Sequence, residues 1–168
     1  IVAASGGNLY IGTDGGGVYL RDARGLRALP GYPAKAPNVR AMLHLRDGSL
    51  LVGHRNGLLH CANGRCTDVQ VGDVEPKLVS ALAEAADGSW WVGTLGSGLY
   101  RVSVNGVLLA EYDEENGLLQ NHVRCLISDD RDRRSPIVHP VKRGAEQPMS
   151  IERLRLRSAL RVCLQEAL

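Results

Sequence analysis

The sequence has no Phe, and aromatic residues reach only 4% of its 168 positions. Set beside 20 Gly, that scarcity suits many short strands joined by tight turns better than a helical bundle. No apolar run approaches the roughly 18 residues of a membrane span, and no basic leader precedes an apolar stretch as in a signal peptide. The chain opens with Ile1-Val2, which reads as a strand without an initiating Met, so this start is expected to be internal to a longer protein. Chemistry-bearing motifs are missing as well: there is no Ser/His/Asp constellation in a recognisable context, no phosphate loop, and no kinase or cyclase motif. The expectation is a non-enzymatic segment without cofactors. The net charge of +2 implies no particular partner, and no focused basic patch on residues 1–130 suggests nucleic acid.

What is present is hydrophobic residue enough, 44%, for a packed core. The charge is unevenly spread: residues 1–130 carry 11 Lys/Arg against 14 Asp/Glu, whereas residues 131–168 carry 9 against 4. Gly follows the same break, with 19 before residue 131 and only Gly144 after it.

The informative feature is an internal period. The segments 7–22, 48–61 and 88–103 align, and Gly12, Gly53 and Gly93 fall 41 and 40 residues apart. Gly17, Gly57 and Gly98 form a second set separated by 40 and 41. Upstream, VRAMLHLRDGS (39–49) matches VSALAEAADGS (79–89), and VRCLISDDRD (123–132) begins a fourth copy. Each copy reads as four strands; in the second they are 39–46, 49–55, 57–62 and 65–71. The Asx-Gly pairs Asp47-Gly48, Asn56-Gly57, Asn63-Gly64, Asp87-Gly88 and Asn105-Gly106 predict type I′ hairpin turns. A four-stranded meander of about 40 residues is the size of one propeller blade. The predicted fold is therefore all-β: a partial β-propeller over 1–130, with blades at about 1–36, 37–76 and 77–120 and the start of a fourth at 121–130. A β-sandwich lacks such a period, and a β-helix has shorter repeats.

These residues resemble the two-component-regulator propeller repeats, whose pattern is V-x-x-L-x-x-D-x-D-G-x-L-W-I-G-T followed by a turn and G-L-x-R. GSWWVGTLGSGLYR (88–101) matches it, with Trp91 in the aromatic position and Gly93-Thr94 after it. The first blade keeps Tyr10, Gly12 and Thr13, while the second departs with Leu51 and His54. Residues 111–130, with Asn116-Gly117-Leu118, are similar to the family's blade-to-blade link. The resemblance implies a periplasmic sensor input module of a bacterial receptor that binds a small molecule or glycan. The remaining blades, a signalling output domain and a dimeric receptor would lie in the intact protein. Two other readings stay open: a protein-interaction scaffold, and a propeller lyase, whose His-based site has no candidate motif here.

Candidate site residues follow. Trp90 and Trp91 are adjacent, so they face opposite sides of a strand. Trp91 is expected between blades, and Trp90 either fills a blade face or stacks on a sugar ring. His54 and Arg55 stand where sister blades carry Thr-Asp and Thr-Leu, and mark either a ligand contact or drift in a degenerate copy. Cys61 and Cys66 flank a two-residue hairpin as a non-hydrogen-bonded pair about 4.5 Å apart, within reach of a disulfide; two unpaired thiols are the alternative. Zinc would need a second close Cys pair, and calcium would need more oxygen ligands than Asp113-Glu114-Glu115 supplies. Cys125 and Cys163 read as buried apolar residues.

The tail, 131–168, breaks the plan. Where a Gly and a W-x-G-T-like strand should follow, the chain runs RRSPIVHPVKRGAEQP. Beyond Ser150 a basic helical pattern is expected over 150–167, with Leu156, Ala159, Leu160, Cys163, Leu164 and Ala167 on one stripe. Either a frameshift replaced the blade or the helix is an appendage, and the reading frames of the encoding DNA separate these.

Overall fold

In the computed structural model the described residues are 2–33, 38–73, 76–128, 136–137 and 160–161. They form three antiparallel four-stranded sheets in simple meander order. The first holds β1 (Val2–Ala3), β2 (Leu9–Gly12), β3 (Val18–Asp22) and β4 (Gly25–Ala28). The second holds β5 (Val39–His44), β6 (Leu50–His54), β7 (Gly57–Ala62) and β8 (Arg65–Asp68). The third holds β9 (Val79–Glu84), β10 (Trp90–Thr94), β11 (Leu99–Val102) and β12 (Leu108–Tyr112). A short fourth sheet is centred on β13 (Ile127–Ser128), flanked by β14 (Pro136–Ile137) and β15 (Leu160–Arg161). The architecture is all-β, three propeller blades with a further sheet after them, and no α-helix occurs among the described residues. The helix expected over 150–167 is corrected at Leu160–Arg161, which pair with β13 instead. An open strand edge offers unpaired backbone groups that a neighbouring segment satisfies. The rest of that helix lies outside the described residues.

The core lies between the sheets rather than inside any one of them. Trp90, Val92, Tyr100 and Val102 of the third blade pack on Leu45, Leu51, Leu58 and Val71 of the second. Val18 of the first meets Leu50, Val52, Leu59 and Cys61 of the second. Trp91, Leu99 and Ala81 meet Leu118 and Val123, which lead toward the fourth sheet. Period-2 alternation sends odd and even residues to opposite faces, and both faces are covered. Every residue of β6 and β10 is therefore buried.

The repeated Gly has a common structural reason. Gly12, Gly53 and Gly93 pair with Val18, Leu58 and Leu99 on the third strand of their sheets. A Cβ on Gly12 would fall 2.6 Å from Val39 Cγ1 of the next blade. Gly53 meets Val79, and Gly93 meets Val123, more closely still. Each blade thus offers a notch to the first Val of its successor.

The turn prediction holds only at Asn63-Gly64, where both residues have positive φ, 53° and 75°. At Asp47-Gly48, Asp87-Gly88 and Asn105-Gly106 only the Gly does, with φ of 87°, 83° and 80°. These are three-residue loops, a type I turn closed by a bulge Gly. Gly48 N–H donates to Leu45 O and Leu45 N–H to Ser49 O, and the pattern recurs at Ala85–Ser89 and Ser103–Val107. Asp selects this turn because Oδ1 of Asp47 accepts both the Ser49 N–H (2.8 Å) and the Ser49 hydroxyl (2.6 Å). Gly57 is not left-handed: it pairs with His54 across an Arg55-Asn56 loop.

Cys61 and Cys66 face each other across the β7–β8 hairpin, with Cα atoms 4.0 Å apart and the sulfurs bonded. Both belong to the contact with the first blade, whose Gly31 lies against the Gly64–Arg65 tip. The loop is short, five residues in separation, so closing it removes about 2 kcal/mol of unfolded-state entropy. Replacing both by Ala, or adding reductant, is expected to lower the unfolding free energy by about that much. Denaturant titration of oxidised and reduced protein checks this. Cys125 is a free, half-buried thiol, and Cys163 lies outside the described residues.

Candidate functional site

The ends of the blades carry different chemistry. At the end where first and second strands turn, a cleft of about 490 Å³ opens between the second and third blades. Its lining includes Arg46, Asp47, His60, Glu84, Asp87 and Trp90. Several of their polar groups are matched inside the protein. The backbone N–H of Arg46 donates to Glu84 Oε2 (3.0 Å), and its guanidinium donates to Ala85 O (3.1 Å). Ser49 Oγ donates to Asp47, so it accepts from His60, whose Nε2 lies 2.8 Å away and carries the proton. The third blade repeats the device with Arg101 in place of His60: Nε donates to Ser89 Oγ (3.1 Å), and the guanidinium also pairs with Asp87. The Ser49 hydroxyl and then its N–H hold the Asp47 carboxyl below its ordinary value. The Ser89 hydroxyl does the same for Asp87, with the Ser89 N–H and Arg101 adding to it. Sequence reasoning missed this Asp-Ser-His/Arg lock, although Asp-Gly-Ser and the column holding His60 and Arg101 were its visible signal.

The candidate residues do not form one site. Trp90 sits at the start of β10, 3% exposed, with its ring 5.3 Å from that of His60. It has no free face for a sugar and fills the inter-blade space. Trp91, 2% exposed, packs on the other face, its ring 5.4 Å from the Arg101 guanidinium carbon and 6.0 Å from the Tyr112 ring. Its Nε1–H is buried without a partner among the described residues. Tyr10 occupies the matching place in the first blade and faces the second. His54 and Arg55 lie at the opposite end, where second and third strands turn.

His54 is 5% exposed, while Arg55 is exposed to solvent. His54 Nδ1 accepts the Asn56 N–H (3.2 Å), and Nε2 has no partner among the described residues. In the sister blades Thr13 and Thr94 stand there, and their hydroxyls donate to Gly17 O and Gly98 O. Burial pushes His54 below its ordinary value of 6.5, with Asp68 pulling the other way. A folded state that prefers neutral imidazole has its full stability above the unfolded pKa. That stability falls as pH drops below about 6.5, until the depressed folded-state value is passed. His54→Gln is expected to flatten the stability profile in that window, measured by urea titration at pH 7 and pH 5. The carboxylate losses from Asp47 and Asp87 fall below the ordinary value of 3.8, outside it.

Beside His54, Leu78 has a φ of +54°, a conformation unusual for a bulky side chain. Its N–H donates to Arg55 O (2.8 Å), and its C=O accepts from Leu95 N (3.1 Å). Both bonds hold it there, tying the second blade to the third. The link after β12 is internally satisfied: Glu114 N–H donates to Asn121 Oδ1, and Asn121 N–H donates to Glu114 Oε1 (each 2.9 Å). Among the described residues no three His, Cys, Asp or Glu are grouped to hold a metal ion. No described helix is long and apolar enough to cross a membrane, which says nothing of β-barrels.

This geometry defines a segment of a β-propeller. Similar solved structures include the extracellular domain of BT3049 from B. thetaiotaomicron, assigned to a hybrid two component system (TM-score 0.69, 18% identity over 77% of this chain). A second is the extracellular domain of BT4673 from the same organism, assigned to a one component system (TM-score 0.63, 15% identity over 78% of this chain). Virginiamycin B lyase from Staphylococcus aureus is also similar (TM-score 0.59, 14% identity), with the likeness spanning 77% of this chain and 45% of the lyase. At these identities the likeness establishes the fold. The chain spans 19% of the BT3049 chain and 21% of the BT4673 chain. No family profile and no curated protein matches the sequence.

Proposed function

We propose that this chain is part of the ligand-sensing input module of a bacterial signalling receptor, exposed on the periplasmic or extracellular side and without catalytic activity of its own. The observation that carries this reading is the GSWWVGTLGSGLYR repeat (88–101) seated on a propeller sheet, with Trp91, Gly93 and Arg101 all in structural roles. Likeness of fold to extracellular domains of a two component and a one component system supports it. The Cys61–Cys66 bond fits an oxidising compartment. The parent protein would supply further blades, a signalling output domain and a dimeric arrangement, and the ligand would be a small molecule or glycan.

Differential scanning fluorimetry of the chain against a panel of mono- and oligosaccharides tests the reading. A saturable rise in Tm with at least one ligand is the expected result. A flat response to every small ligand, with stable complex formation with a second protein, would replace it by the scaffold reading. The lyase reading has only the fold in its favour, because the described residues hold no free His-based constellation.

A further inference from the structure

The end of the propeller opposite the cleft carries cations that enter no ion pair among the described residues. Arg40 and Ser80 are both bulge residues. Val39 pairs with His54 and Ala41 with Gly53, leaving Arg40 without a partner across the ladder. Val79 pairs with Thr94 and Ala81 with Gly93, leaving Ser80 in the same position. A bulge turns its extra side chain away from the alternating faces of the sheet. Arg124 follows Val123 as Arg40 follows Val39, and Val123 N–H donates to Thr94 O (2.8 Å) as Val39 N–H donates to Thr13 O (3.1 Å). Ser80 Oγ donates to Val123 O, so Arg124 rises next to Ser80. By the same repeat, Arg40 rises beside the start of β9. These first strands touch from blade to blade, β1 to β5 and β5 to β9, with β2 and β6 also reaching the next blade's first strand, which places the row on the side of the sheets nearest the propeller axis.

Two more cations join the row. Arg55 O accepts the Leu78 N–H, bringing Lys77 alongside Arg55. Arg40, Arg55, Lys77 and Arg124 are all exposed, and none enters an ion pair among the described residues. Arg46 and Arg101 at the other end are both paired. Of the carboxylates at this end, exposed Asp14 stands in the first blade where Arg55 stands in the second, and exposed Asp73 lies on a loop. Asp68, Glu111, Asp113, Glu114 and Glu115 lie on or follow β8 and β12, the outermost strands of their blades. Asp113 Oδ1 is occupied by the Glu115 and Asn116 N–H groups, and Glu114 by Asn121. Among the described residues, Asp14 apart, the unpaired cations stand nearer the axis and the carboxylates nearer the rim, a distribution that draws anions inward.

We infer that Arg40 and Arg124, flanked by Arg55 and Lys77, bind the anionic group, a carboxylate or a sulfate, of a small ligand at this axial end. The planar guanidinium fork suits both oxyanions. The inference deepens the sensing reading, resting on it for the premise that the module takes a small ligand.

Isothermal titration of the whole chain with glucuronate, glucose and inorganic sulfate tests it. Glucuronate is expected to bind at millimolar concentration, glucose to give no signal, and sulfate to compete. Added salt should weaken the binding. Arg40→Gln or Arg124→Gln should each raise Kd about tenfold, and Arg40→Lys should raise it less. Arg65→Gln, at the far end of the second blade, should leave it unchanged. Circular dichroism verifies that each variant is folded, and Arg40→Lys serves if the Gln variants are not. Equal binding of glucose and glucuronate, no binding of glucuronate, or Gln variants matching the parent would each overturn the anion site. A neutral sugar that raises Tm while the anions fail would sink this inference and leave the sensing reading standing. Failure of every small ligand would remove both.

Discussion

Gly53→Val is expected to lower the unfolding free energy by about 3 kcal/mol, the upper part of the range for overpacking a core. The added atoms would occupy the space filled by Val79 of the next blade, and the backbone of β6 is held on both sides by β5 and β7, so neither sheet can retreat freely. The claim concerns a joint between blades, and a double-mutant cycle isolates it. Val79→Ala alone removes buried methyl groups and costs about 1–3 kcal/mol. Combined with Gly53→Val it should cost less than the sum, with a coupling of about 1 kcal/mol or more. Urea-induced unfolding of the four proteins measures all terms. Strict additivity would mean that Gly53 matters for its own backbone rather than for the notch.

Trp91→Ala is expected to cost about 3–5 kcal/mol, because the ring is a large, fully buried side chain between the third blade and the chain leading to the fourth sheet. Trp91→Phe should cost far less, under about 1.5 kcal/mol. It loses part of the area but also removes an N–H that is buried without a partner among the described residues. Arg101→Gln, which deletes the cation over the ring together with its bonds to Ser89 and Asp87, should remove about 1–2 kcal/mol. If Phe were as damaging as Ala, the indole nitrogen would have a partner, and the account of Trp91 as inter-blade filler would fail.

Much of the fold was legible because spacing encodes contact. Gly12, Gly53 and Gly93 recur 41 and 40 residues apart, and each is met by the first Val of the unit that follows, Val39, Val79 and Val123. The apolar runs of β6 and β10 showed strands buried on both faces. Turn types were read less well. Asx-Gly predicts a two-residue loop, but at Asp47 the carboxylate reaches forward to Ser49 and stabilises a three-residue loop instead. The site was the least legible part. Trp90 stood out as an aromatic, yet its place in the pleat puts it in the core. Arg40 went unnoticed because a bulge is a matter of ladder register, which one strand's sequence does not carry. His60 was hidden by differing from Arg101 in residue type while keeping the same hydrogen-bonding role.

The Gly-to-Val notch has a consequence for how such a protein can change over generations. Since each of the three blades presents the same Gly socket to a Val of the unit that follows, copying or deleting one whole unit in the gene leaves a compatible neighbour at the joint. Divergence can then proceed unit by unit in the residues outside the joint, such as His54 where other units hold Thr, while the stacking rule stays intact.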